Sequence, residues 1–153
     1  MPTNILRKRG SKISAKDAPA KASGDAGRLP VRTVAITIGG HTFSATLLDT
    51  PIAGRIWAAL PLYSSAETWG QAIHFEVPVE SGRERGATLK AERGTLYFWS
   101  DEHRVILAFG ATPLARDGEM RLPVPCNAWA ATETDLSILA AVTPGAKVSV
   151  VRR

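Results

Sequence analysis

Residues 31–47 constrain the fold more than any other stretch. Val31-Arg32-Thr33-Val34-Ala35-Ile36-Thr37-Ile38 alternates apolar and polar side chains with period two, and its β-branched residues favour a half-buried strand. Gly39-Gly40 follows, and two adjacent glycines suit a two-residue hairpin loop, where both central residues take positive φ. His41-Thr42-Phe43-Ser44-Ala45-Thr46-Leu47 alternates again, with Phe43, Ala45 and Leu47 on one face. A hairpin with one apolar face cannot stand alone in water, so the remaining residues must supply strands or helices to cover it.

The following segments supply both. Thr50 is placed to cap a helix and Pro51 suits its first position, with Ile52, Ile56 and Leu60 on one face and Pro61 ending it. Gln71–Val79 reads as a strand with Ile73, Phe75 and Val77 on one side and Ala72, His74, Glu76 and Pro78 on the other. A hairpin is expected around Ser81-Gly82, with Ala87–Ala91 as its return. Thr95–Trp99 and Arg104–Phe109 read as strands around the polar turn 100–103, the second apolar on both faces as a strand within a wall would be. The prolines and glycines of 110–125 predict a long loop, Asn127–Thr132 a strand, and Thr134 the cap of a second helix with Leu136, Leu139 and Ala140 inward. Ala146–Val151 is the last strand. Many short strands with two short helices indicate a mostly β domain closed into a barrel, because closure removes exposed sheet edges.

Composition divides the sequence at Pro30. Residues 2–30 contain Ile5, Leu6, Ile13 and Leu29 as their only large apolar side chains, and 1–30 reads as a disordered tail. Residues 31–153 read as the domain. Up to Arg32 there are eight basic residues against Asp17 and Asp25, or +6, whereas the remainder carries −1. Nucleic-acid affinity is therefore expected only weakly, through the tail, and in a salt-sensitive form. No apolar run reaches the roughly 18 residues of a membrane span. The single cysteine, Cys126, cannot form an internal disulfide, and with no signal-peptide pattern the expected location is cytoplasmic.

Several segments, in this order, resemble the small cyclophilin-like domain family of bacteria and archaea. They are Ile36-Thr37-Ile38-Gly39-Gly40 with Phe43 and Ala45, Leu60-Pro61, Trp69-Gly70-Gln71-Ala72-Ile73-His74-Phe75, Gly94-Thr95-Leu96-Tyr97-Phe98-Trp99, Ala108-Phe109-Gly110-Ala111-Thr112-Pro113 and Pro125-Cys126-Asn127. The resemblance covers about 31–153 and implies an eight-stranded barrel closed by two helices. Its broader relatives include peptidyl-prolyl isomerases. Those carry a Phe-His-Arg segment whose Arg donates toward the prolyl nitrogen, and then a Phe-Met-x-Gln-Gly-Gly run. Here the comparable place reads Ile73-His74-Phe75-Glu76-Val77-Pro78, with an aromatic where that Arg would be and no Gln-Gly-Gly run. Arg83, Arg85 and Arg104 are the alternative donors.

The residues themselves point to binding rather than bond-making chemistry. His41, His74 and His103 lack metal-ligand spacing, and no metal or cofactor is expected. Cys126 has no base beside it in sequence and reads as a small buried residue. No catalytic residue is assigned. The expected ligand site is His74, Glu76, Tyr97, Trp99, Phe109 and Asn127. His74 and Glu76 share a strand face opposite Phe75, and the aromatics and Asn127 come from later strands. Three functions follow as expectations: a module binding a peptide segment or small ligand in an apolar groove, a prolyl isomerase, and a nucleic-acid binder acting through the tail.

Overall fold

The computed structural model describes residues 30–153; the tail expected over 1–30 lies outside them apart from Pro30. The expected hairpin is present as β1 (Thr33–Ile38) and β2 (His41–Leu47), paired from Thr33↔Thr46 to Ile38↔His41. Gly39 and Gly40 have φ of 57° and 88°, a left-handed pair that lets the turn follow the twist of the strands. The helix α1 spans Pro51–Ala59, and the Thr50 hydroxyl accepts from the Ala53 N–H at 3.3 Å. Ile52 and Ile56 turn fully inward, and the backbone leaves the helix at an extended Leu60.

Eight further strands follow among the described residues: β3 (Leu62–Ser65), β4 (Glu67–Thr68), β5 (Ala72–Glu76), β6 (Thr88–Lys90), β7 (Thr95–Trp99), β8 (Arg104–Ala108), β9 (Arg121–Ala131) and β10 (Lys147–Arg152). The hydrogen-bonded path runs β3-β10-β1-β2-β9-β7-β8-β5-β4, with β6 attached to β9. Its two ends are joined through Ala66 alone, so the sheet curls into a nearly closed barrel. The mostly β barrel is therefore present with nine strands on its path, the two-residue β4 included, where the resemblance implied eight. The first core cluster fills its interior with Val34, Ile36, Phe43, Ile73, Phe75, Leu96, Phe98, Val105, Leu107, Trp129 and Val150, closed by Ile52 and Ile56 of α1. The indole N–H of Trp129 finds no acceptor among the described residues.

Local expectations fail where pairing partners lie far off in sequence. Strand β6 is not the return arm of a hairpin with β5; it pairs with β9 through Thr88↔Cys126 and Lys90↔Arg121. The expected loop 110–125 ends early, because β9 already begins at Arg121. Pro123 and Pro125 fit in that strand because the β6–β9 register shifts between its two pairs, so no regular ladder there demands their missing N–H groups. Strand β3, whose Tyr63-Ser64-Ser65 gives no apolar alternation, exists by pairing with β10. The second helix is a 3-10 helix over Leu136–Ala141, capped by Asp135 rather than Thr134: the Asp135 carboxylate accepts from the Ser137 N–H, which also holds its pKa below the usual value. Leu136 and Leu139 are buried but Ala140 is exposed, since three-residue periodicity turns position 140 off the inward row.

Candidate functional site

Strand parity divides the expected site residues. On β5, Ile73 and Phe75 enter the barrel, and His74 and Glu76 take the opposite face. On β7, Leu96 and Phe98 enter while Tyr97 and Trp99 face out, and on β8 Val105 and Leu107 enter while Ile106 faces out. A second, smaller apolar cluster forms on this outer face. Tyr97, Ile106, Leu122 and Cys126 are its buried members, and Trp69, Trp99, Val124 and Ala128 pack against them.

His74 and Trp99 meet on this face. Their ring centroids lie 6.0 Å apart at an interplanar angle of 73°, an edge-to-face contact. They are brought together by Arg104, the first residue of β8, which is in register with Glu76 of β5 on one side and Trp99 of β7 on the other. Arg104 Nη1 lies 3.3 Å from His74 Nδ1. A guanidinium only donates, so Nδ1 is the acceptor and the imidazole is neutral with its proton on Nε2. Partial burial of the ring, and then the positive charge of Arg104, hold the His74 pKa below its ordinary value; Glu67 and Glu102 pull weakly the other way. Glu76 lies on the same face and is exposed.

The other three expected residues are placed differently. Phe109 packs against the barrel interior, not beside Trp99, because it continues the inward row of Val105 and Leu107. Tyr97 is on the outer face but is no rim residue: it is 2% exposed, and its hydroxyl accepts from the Glu92 N–H at 2.8 Å. Asn127 is 1% exposed and in register with inward-facing Phe98. Its amide donates to the Gly82 carbonyl at 2.9 Å and accepts from the Glu84 N–H at 2.8 Å. Asn127 is thus a clamp for the segment after β5. Glu84 in turn accepts from the Ile52 N–H at the start of α1, at 2.8 Å. Cys126 is buried, and burial pushes its thiol up to about 12, far from any nucleophilic role.

Arg104 is the residue that sequence reasoning left out of the site, although it stood among the three alternative donors. Its parity with Ile106 marks it as outward-facing, but only the register across β5, β8 and β7 brings it to His74. Sizeable clefts among the described residues open elsewhere. One of about 540 Å³ is lined by Ser44, Thr46, Thr132 and Glu133; another of about 430 Å³ by Thr37, Tyr63, Lys147 and Ser149. A third, of about 260 Å³, includes Glu76 with Tyr63 and Pro78. Cavity size does not pick out the His74–Arg104–Trp99 face; its chemistry does, since it joins a fixed cation, a neutral imidazole and a half-buried indole. Among the described residues, no cluster of three or more His, Cys, Asp or Glu side chains could hold a metal ion, and no helix is long and apolar enough to cross a membrane.

Comparison with known proteins agrees with this architecture. Residues 32–151 match the family model described as cyclophilin-like. The solution structure of a hypothetical protein from Archaeoglobus fulgidus is similar over 83% of this protein and 99% of that one, with 25% identity and a TM-score of 0.69. The structure of McbB in complex with tryptophan shares the fold over 78% of this protein and 44% of that one, at 17% identity and a TM-score of 0.58. Among curated proteins, none matches.

Proposed function

The chain belongs to the cyclophilin-like family, and on that footing we propose that it is a binding module whose outer face, around His74, Arg104 and Trp99, takes a peptide segment or small ligand. The observation that carries this reading is the meeting of those three side chains from three neighbouring strands, with Glu76 at the edge. A half-buried indole offers apolar contact area at low entropic cost, and the polar pair beside it offers direction. The lone, buried Cys126 supports a reducing, cytoplasmic setting for this activity.

A second reading is prolyl isomerisation, and Arg104 is what favours it. The reaction needs an apolar seat for the proline ring and a donor near the prolyl nitrogen. Arg104 beside Trp99 is such a donor, although it reaches the face from a different strand than the family motif would predict.

A protease-coupled prolyl-peptide assay separates the two. The uncatalysed step takes tens of seconds, so even weak catalysis is visible. Under the binding reading the protein leaves the rate unchanged, while a prolyl peptide added to labelled protein shifts the Trp99 indole and His74 ring resonances. Rate acceleration that Arg104→Lys abolishes would overturn the binding reading in favour of the isomerase, because Lys keeps the charge and loses the planar fork.

A further inference from the structure

We infer that the ligand of the outer face carries a carboxylate next to an apolar or aromatic group, the carboxylate meeting Arg104 and the apolar group Trp99. The inference rests on the binding reading above and narrows it to a ligand class.

Among the described residues, Arg104 has no counter-charge within ion-pair distance where one would be expected. Glu76 stands directly opposite it in the β5–β8 ladder, the position from which a carboxylate ordinarily pairs with a cross-strand arginine. Yet the guanidinium turns to the neutral imidazole of His74. No carboxylate among the described residues lies within 4.0 Å of Arg104; the ion pairs there are Arg83–Asp101, Lys90–Glu119 and Arg121–Glu119. Arg104 is only partly exposed and is flanked by Trp99, so water screens it less than it would a free surface cation. Its five N–H donors are reduced by one through the His74 bond. The remaining donors form a planar fork that matches a carboxylate in two-point geometry.

The neighbours of the cation strengthen the assignment. With Nδ1 facing Arg104, His74 holds its proton on Nε2 and adds a second donor to the same face. Trp99, in edge-to-face contact with His74 and in register with Arg104, and Trp69, packed on the same outer cluster, supply apolar surface on this face. A ligand with charge alone would leave that surface wet, and a purely apolar ligand would bury the guanidinium without a partner. The groups that face His74 are Arg104 on β8, Glu67 on β4, Glu102 on the turn after β7 and Glu76 on its own strand. A bound carboxylate adds a negative neighbour to this set, so binding raises the His74 pKa and tightens as pH falls.

Nuclear magnetic resonance titration of the full-length protein tests this with three probes: acetyl-Ala-Ala-Phe with a free carboxylate, the same peptide as its amide, and 3-phenylpropionate. The acid is expected to bind at least about tenfold more tightly than the amide, by the strength of a charge-assisted fork. It should shift the Trp99 indole and His74 ring signals and raise the His74 pKa. In Arg104→Gln, checked for a native-like spectrum, the acid and amide should become equal. If 3-phenylpropionate behaves like the peptide acid, a small carboxylate suffices; if only the peptide acid binds, the ligand is the carboxyl-terminal end of a peptide. Both results support the inference. Equal binding of acid and amide to the native protein, with shifts at His74 and Trp99, overturns the carboxylate and leaves the binding face standing. Binding that moves neither signal overturns both. Failure of both acids to bind overturns the inference. The acid–amide comparison needs no variant, so a poorly folded Arg104→Gln would not remove the test.

Discussion

The two faces of β5, β7 and β8 are built from adjacent residues and obey different rules. The inner face carries Ile73, Phe75, Leu96, Phe98, Val105 and Leu107, all within 1% of complete burial and all without a polar side-chain atom. The outer face alternates with it residue for residue and mixes buried Tyr97 and Ile106 with half-buried Trp99, His74 and Arg104 and exposed Glu76. Close packing makes the inner face a matter of volume and shape. The outer face adds charge and hydrogen bonding, with Arg104 on His74 and the Tyr97 hydroxyl on the Glu92 N–H. The same strands thus present two chemically different faces, and the outer one is where we propose that a ligand binds.

The sharpest way to break this comparison is to truncate neighbours on opposite faces. Phe75→Ala should cost about 3–5 kcal/mol of unfolding free energy, by lost transfer and the cavity left behind. His74→Ala, one residue away, should cost less than about 1 kcal/mol, as surface-face changes do. Urea denaturation of both variants measures the gap; similar losses would mean that the outer face is core in all but name.

Asn127→Ala should fall between them. It removes two hydrogen bonds that hold the exposed Gly82 and the half-buried Glu84, at a cost of about 0.5–1.5 kcal/mol each, since water can reach the groups left behind. Faster amide exchange at residues 82–84 should accompany the loss. Unchanged exchange there would show that the segment is held by other contacts and that Asn127 is free to serve as a ligand group.

The smallest effect is a pH dependence confined to the outer face. The folded His74 pKa lies below the unfolded value of 6.5, so the unfolded state binds the proton more readily. His74 therefore contributes stability that is fully present above pH 6.5 and is lost as pH falls from there through the lowered folded pKa. Thermal unfolding of the native protein and of His74→Gln across that window checks the sign. A native protein that gains stability relative to the variant on acidification would place a carboxylate, not Arg104, as the dominant neighbour.

Some of this was legible residue by residue. The hairpin at Gly39-Gly40, the Thr50 cap and the division of Phe75 from His74 depend on local dihedral preference and on period-two alternation, both written in consecutive side chains. Parity also separates Phe98 from Trp99. Applied to Phe109, it places that ring with Val105 and Leu107, against the site that the aromatic pattern suggested.

What the sequence alone determined, then, is which side chains share a face; what tertiary structure decided is which strands lie side by side. The alternation on Arg104–Ala108 sets Arg104 outward wherever the strand is placed. Only the ladder Glu76↔Arg104↔Trp99 brings it against His74, thirty residues earlier in sequence. The same holds for β6, whose partner is β9 rather than its neighbour in sequence, and for Asn127, whose hydrogen bonds reach back more than forty residues. Strand pairing of this kind is chosen by long-range burial and by closure of the sheet, which depend on the whole barrel at once and leave no mark in a local window.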